Sequence, residues 1–372
     1  MKELNISKCI VQKRKEKGIT QEQLAEYIGV SKASVSKWES GLSYPDILLL
    51  PDLATYFNVS VDELLGYSPQ LTKQDIKRLY NKLSHEFATK PFDEVMELCN
   101  ETIKKYYSCF SLLLAMIQLL LNHFMLANAE EIKKDILQQC VLLSRRVKEE
   151  SEDLSDIKKA NTMEAIAEMA LGNGEVVISL LNDKLDPYSG EDLILINAFQ
   201  MQGNIAEANK VNQILLYQNV INTLSLLTNY LTLHLMEPSL LEQVYSQGTQ
   251  IIDSFQMQQV LTNAVFAIHI VAAQGYMIHH EKEKALNALE QYVDIVCGFE
   301  YPLKLKGNEF FNQVDEWLED NISIGTSSPQ DEITNKKNFI SMIAENPAFI
   351  EIREDEKYKQ LINKIKRKLG EK

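Results

Sequence analysis

The sequence predicts an all-α chain: five short helices close together at the N-terminus, then a long succession of paired helices. Two observations predict this. From Leu71 to about Asp320 apolar residues recur at three- and four-residue intervals, with no strand-like alternation and with Pro and Gly confined to breaks. Ahead of that region, helix start and stop signals follow one another at tight spacing through residue 66.

The first helix is predicted over Ser7–Lys17, ending at Gly18. Thr20 and Gln23 then make a capping box, in which a hydroxyl satisfies one orphan amide and a carboxamide reaches back to another. Leu24, Ala25 and Ile28 share one face of the second helix, and Gly29 suits the positive φ that ends it. Ser31 caps the third helix. In that helix Val35 and Trp38 point one way; Lys32, Ala33, Ser36, Lys37 and Ser40 point the other. Ala25 is small where two helices must cross. Together these specify a helix-turn-helix, whose second helix can enter a DNA major groove. Pro45 is expected to open a fourth helix running through Phe57. Ser60 and Glu63 make a second capping box before Leu64 and Leu65, and 66–70 ends the domain.

The long helical region carries a weak internal repeat. Gln202–Ala208 (QGNIAEA) is similar to the turn of a tetratricopeptide repeat, and poorer copies lie at 171–177, 280–285 and 91–95. The last positions of these turns, 95, 177, 208 and 285, are separated by 82, 31 and 77 residues. With unrecognised repeats near 132 and 244 the period becomes about 34–40, as paired-helix repeats require. A TPR-like α-helical solenoid is expected, because one helix pair cannot bury its own apolar face and neighbours must stack; an irregular helical bundle is the alternative. Residues 321–332 are polar and read as a loop, followed by a short turn and a final helix that is basic at Lys364, Lys366, Arg367 and Lys368. The expected divisions are 1–68, 69–320 and 321–372.

Composition bounds the function. The 372 residues carry a net charge of −14, unevenly placed. Residues 1–70 hold eight Lys/Arg against nine Asp/Glu, a net of −1, so −13 lies in the remainder. An acidic body repels a duplex and confines DNA contact to the N-terminal domain, where Lys13, Arg14, Lys15, Lys17, Lys32 and Lys37 cluster. The same residues would also serve as a plain solvated face. Cys9, Cys99, Cys109, Cys140 and Cys297 are scattered, odd in number and without a CxxC pair, which fits buried thiols in a reducing cytosol, with neither zinc nor disulfides. The N-terminus has no apolar signal core. The apolar run 110–126 is short for a membrane span and is broken by Gln118, Asn122 and His123, so it reads as a buried helix. Walker loops, HExxH and nucleophile elbows are missing, and adjacent His279 and His280 point apart on a helix. No enzyme, cofactor or metal is expected.

The segments IVQKRKEKG, ITQEQLAEYIGVS, SVSKWESG, PDILLLPDLATYF and NVSVDELLG occur in order and at family spacing. Through them residues 6–66 resemble the phage-repressor/Cro-like (XRE), lambda-repressor-like DNA-binding domain. SKWESGLSYPDILLLPDLA is most similar to cytoplasmic regulators of Gram-positive bacteria. The resemblance implies a DNA-binding set of Gln21, Ser31, Lys32, Ala33, Ser36, Lys37 and Ser40. In it Lys32, Ala33, Ser36 and Lys37 reach base edges, while Gln21 and Ser40 meet phosphates. It also implies a structural ion pair between Arg14 and Glu39. One such helix covers few base pairs, so a homodimer on a two-fold-related operator in double-stranded DNA is expected.

Helix-borne amides at Asn161, Asn197, Asn222, Asn229 and Asn263 are candidates for peptide contact, since a carboxamide both donates to and accepts from a backbone; ordinary interhelix hydrogen bonding is the alternative. An XRE-like head on an acidic repeat body resembles the peptide-pheromone-sensing (quorum-sensing) regulators of Gram-positive bacteria. That resemblance implies a cytoplasmic transcription regulator whose body dimerises and senses a short peptide. The alternatives are a repressor whose body docks a protein partner, and a pure protein-interaction module. No membrane partner is expected.

Overall fold

The structure, a computed structural model, describes residues 6–66, 71–181 and 190–370. It separates into two compact units, Met1–Thr72 and Lys73–Lys372. The expected domain end at 68 falls on residues 67–70, outside the described residues.

The first unit contains α1 (Ile6–Glu16), α2 (Gln21–Ile28), α3 (Lys32–Glu39), α4 (Leu50–Phe57) and α5 (Val61–Leu65). Ile6, Ile10, Leu24, Ile28, Val35, Trp38, Leu53, Phe57 and Leu64 interlock as its core. Each such side chain contributes about 1.5–3 kcal/mol by leaving water. Two details differ from expectation. The fourth helix does not begin at Pro45: Asp46 caps a single 3-10 turn, Ile47–Leu49, and α4 follows with Pro51 in its first turn. A helix running through from Pro45 would need an N–H from Pro51, which proline lacks. The second capping box is half made. Ser60 Oγ accepts from the Glu63 amide at 3.1 Å, but the Glu63 carboxylate instead meets Lys13 Nζ at 3.1 Å, tying α5 to α1.

The second unit runs through α6 (Lys73–Thr89), α7 (Phe92–Lys105), α8 (Phe110–His123), α9 (Glu130–Glu150), α10 (Leu154–Ala170), α11 (Gly174–Leu181), α12 (Glu191–Met201) and α13 (Ile205–Leu233). It continues through α14 (Pro238–Ser254), α15 (Asn263–Ile278), α16 (Lys282–Gly298), α17 (Asp315–Asn321), α18 (Glu332–Ala344) and α19 (Glu356–Leu369). Val95, Val177, Ala208 and Ala285 are each the fourth residue of a helix, α7, α11, α13 and α16. The inferred positions 132 and 244 fall early in α9 and α14. Helix α8 is buried around most of its circumference, as the apolar run requires. No described helix is long and apolar enough to cross a membrane.

Helix does not continue to Asp320. Between α16 and α17 the chain is irregular, interrupted by Pro302 and Gly307. A Cβ on Gly307 would sit 1.8 Å from the Phe311 carbonyl oxygen, so only glycine fits that turn. This stretch pairs with the later loop: Leu305 N donates to Thr326 O at 2.7 Å and Ser328 N to Leu303 O at 3.1 Å. The loop then reaches the start of the unit. Pro329 O accepts from Tyr80 Oη at 3.2 Å and Ser84 Oγ at 2.9 Å, and Gln330 Nε2 donates to Asn122 O at 2.6 Å. His85 Nδ1 lies 2.8 Å from Asp331 Oδ2. At the C-terminal end α19 buries Tyr358, Leu361, Ile365 and Leu369 and packs on α16, where Lys357 meets Glu290 and Lys364 meets Asp294.

Two nearly buried carboxylates hold α9 to α10. Arg145 donates from Nε to Glu164 Oε1 at 2.8 Å and from Nη2 to Glu168 Oε1 at 3.0 Å. Lys148 Nζ lies 2.6 Å from the other Glu164 oxygen, and Asn173 Nδ2 donates to Glu168 at 2.6 Å. Removing the shared guanidinium strands both acids with partial compensation. Arg145→Ala is therefore expected to lower stability by about 2–3 kcal/mol, a figure reduced for the half-exposed arginine, with recovery in the Glu164→Gln/Glu168→Gln background. Urea unfolding followed by far-UV circular dichroism measures both; an unchanged midpoint for Arg145→Ala would mean that water satisfies the two acids.

Candidate nucleic-acid interface

The interface is built on α2 and α3. Thr20 accepts from the Gln23 amide at 3.2 Å while Gln23 Oε1 accepts from the Thr20 amide at 2.8 Å, fixing the start of α2. Gly29, at φ +77°, ends it. Val30 N then bonds to Ala25 O at 2.9 Å, and Ser31 Oγ accepts from Ser34 N at 3.1 Å to start α3. These caps set the angle between the helices with almost no intervening chain.

On α3, Val35 is wholly buried and Trp38 nearly so, while Ser31, Lys32, Ala33, Ser36, Lys37 and Ser40 are exposed. The helix thus has a packed inner side and a polar outer side of small and cationic residues. Its far end is fastened by Glu39. Arg14 donates to Glu39 from Nε at 2.5 Å and from Nη2 at 3.0 Å, and also from Nη1 to Ile19 O at 2.8 Å. Burial alone would push the Glu39 carboxyl up; hydrogen bonds from Arg14 and Gln21, with the guanidinium charge, outweigh it and hold the acid below the usual carboxylate range.

Gln21 is engaged differently from expectation. Its Nε2 donates to Glu39 Oε2 at 2.8 Å, so its amide nitrogen completes the clamp instead of facing outward. Ser40 Oγ donates to Lys37 O at 3.1 Å. The basic cluster also divides. Lys13, Arg14 and Lys32 meet Glu63, Glu39 and Glu22, the last at 3.4 Å between two exposed side chains. Among the described residues Lys37 meets no carboxylate, and Lys17 Nζ sits 4.7 Å over the Tyr56 ring.

The five candidate amides have different surroundings. Asn161 is an interhelix tie, donating to Leu180 O at 3.0 Å and accepting from Lys148 at 3.2 Å. Asn197, Asn222 and Asn229 are exposed on α12 and α13. Asn263 lines a cavity, in company with Asn335 and Asn338 of α18, which the sequence did not single out. Tyr80, Ser84 and Asn122, which grip the loop at Pro329 and Gln330, carry no local signal, because their partners lie more than 200 residues away.

A family profile described as helix-turn-helix matches residues 10–64. The HTH-type transcriptional activator BcrR of Enterococcus faecalis is 37% identical over 84 residues, 21% of this chain and 41% of BcrR, so the match spans about two fifths of that relative. The uncharacterized HTH-type transcriptional regulator YobD of Bacillus subtilis (strain 168) is 39% identical over 80 residues, 22% of this chain and 68% of YobD. Among solved structures, Bacillus thuringiensis PlcR in complex with the peptide PapR7 and DNA is 15% identical, covering 96% of this chain and 99% of PlcR at a TM-score of 0.24. This chain belongs to the HTH-type transcriptional regulators, a family of transcription factors and not of enzymes.

The clamp generates a pH test. A carboxyl held low in the folded state stabilises fully above its unfolded value of about 4.3 and loses that contribution as pH falls through the lower folded value. Glu39→Gln is expected to cost about 1–3 kcal/mol near neutral pH, with the deficit shrinking below about pH 4. Trp38 fluorescence in a Trp317→Phe background reads the first unit; a deficit independent of pH would show that charge plays no part.

Proposed function

We propose that this protein is a sequence-specific regulator that binds operator DNA through the outer side of α3, acts as a homodimer and receives a short peptide in its helical body. The observation that carries the DNA reading is the two-sidedness of α3: every outward candidate on it is exposed, while Val35, Trp38 and the Arg14–Glu39 clamp hold it from behind. Lysine can donate to guanine O6 or N7, and Ala33 is small enough to approach a thymine methyl. The acidic remainder of the chain favours contact through this face alone.

The dimer reading is supported by apolar residues left exposed on and beside α12 and α13, among them Ile194, Met201, Leu233 and Met236. Such exposure on a folded body marks a surface for another protein surface, and a second copy supplies the two-fold that half-site recognition needs. The peptide reading is supported by the second unit's hold on its own loop. A backbone carbonyl, that of Pro329, is already gripped there by two side-chain hydroxyls. Groups that bind one backbone carbonyl this way can bind another.

Duplexes selected by the wild-type protein from a random-sequence pool test the DNA reading. Lys37→Glu is expected to weaken retention of those duplexes by about tenfold or more, with the larger difference at low salt. Equal retention by the two proteins would remove α3 from the interface.

A further inference from the structure

A cavity of about 790 Å³ opens among α14, α15, α16 and the irregular stretch that follows α16. His269 of α15 lines it and is only 2% exposed. Its Nδ1 is anchored 2.8 Å from Tyr245 Oη, on a residue outside the lining. Its Nε2 has no hydrogen-bond partner. Burial pushes the imidazole down to about 4, so the ring is neutral near pH 7. A buried polar atom without a partner is costly, and a water, an ion or a ligand group that reaches it would relieve that cost.

The other polar groups of the lining restrict what that ligand can be. Lys306 is neutralised by Glu300 at 2.8 Å, and Asp294 by Lys364. Asn308 Nδ2 is spent on the Phe255 and Gln256 carbonyls at 2.9 and 3.0 Å. What the cavity offers is the neutral imidazole, the carboxamides of Gln258, Gln259 and Gln291, the Thr249 hydroxyl, one charge of each sign at Asp253 and Lys304, and apolar walls from Ile252, Ile295 and Phe299. Two-way hydrogen bonding beside an apolar wall, with charges of both signs in the lining, matches a peptide unit with an apolar side chain better than it matches a phosphate or a metal ion.

We infer that this cavity seats one apolar residue of a linear peptide, its side chain against Ile252, Ile295 and Phe299 and a backbone amide group hydrogen-bonded to His269 Nε2. The inference rests on the peptide reading above and adds the place and the anchoring atom. Gly298 lies in the lining, and a Cβ there would meet nothing within 4 Å, so a side chain can leave the backbone at this position without a clash at its first atom, and Gly298→Phe adds bulk to the lining.

The experiment presents full-length wild type, His269→Phe and Gly298→Phe with an equimolar pool of short linear peptides, removes unbound peptide by gel filtration and identifies the rest by mass spectrometry. Peptides retained by wild type are expected to fall at least tenfold on both variants, while Lys37→Glu retains them unchanged. On ¹⁵N-histidine-labelled wild type, a retained peptide is expected to shift the His269 Nε2 resonance, a readout that needs no variant to fold. Equal retention by all proteins, with an unmoved resonance, overturns this site and leaves the peptide reading standing. Loss on Gly298→Phe alone, with an unmoved resonance, overturns the role of His269. No retention by wild type overturns the peptide reading and this inference with it.

Discussion

An eight-residue helix has too few hydrogen bonds to persist in water, so α3 exists only because it is held. That constraint explains most of the first unit. Ser31 supplies the missing acceptor at its start, Val35 and Trp38 fill the core beneath it, and Glu39 receives Arg14 from α1 and Gln21 from α2 at its end. Three helices thereby meet at one carboxylate. The consequence is a rigid, outward row of short polar side chains whose spacing does not depend on what they touch.

Much of this was legible in the sequence because the information is local. Capping residues, a glycine needing positive φ and the three-residue spacing of Val35 and Trp38 all act within a turn or two. Where local reasoning failed, a more distant group had intervened. Glu63 left its box for Lys13, and Gln21 turned inward to Glu39. Both are polar side chains with two acceptable partners, and only the packed structure decides between them. Pro51 is the opposite case: its effect on the fourth helix is local and was readable from its missing N–H.

The second unit shows the same division on a larger scale. Repeat turns placed the helix starts well, since the fourth position of each must be small or apolar to let two helices approach. Residue type and helix position say nothing about which helices come together over hundreds of residues, so the sequence did not single out Asn335 and Asn338, which line a cavity with Asn263, or the tie that Asn161 makes to Leu180. His269 lies in an apolar run and carries no signal of its own in the sequence. Only the cavity beside it and the single bond to Tyr245 give it a distinct character.

The loop at Pro329 changes how that unit must come apart. In an open array of stacked helix pairs each layer touches only its neighbours, so the last layers can fray while the first remain intact. Here the stretch before α18 is hydrogen-bonded to α6 and α8, which joins the two ends of the array. Fraying from the C-terminus is thereby coupled to loosening at the N-terminal side. Removing the final helices would not leave a shorter version of the same body, but one missing a brace of its first helices, α6 and α8.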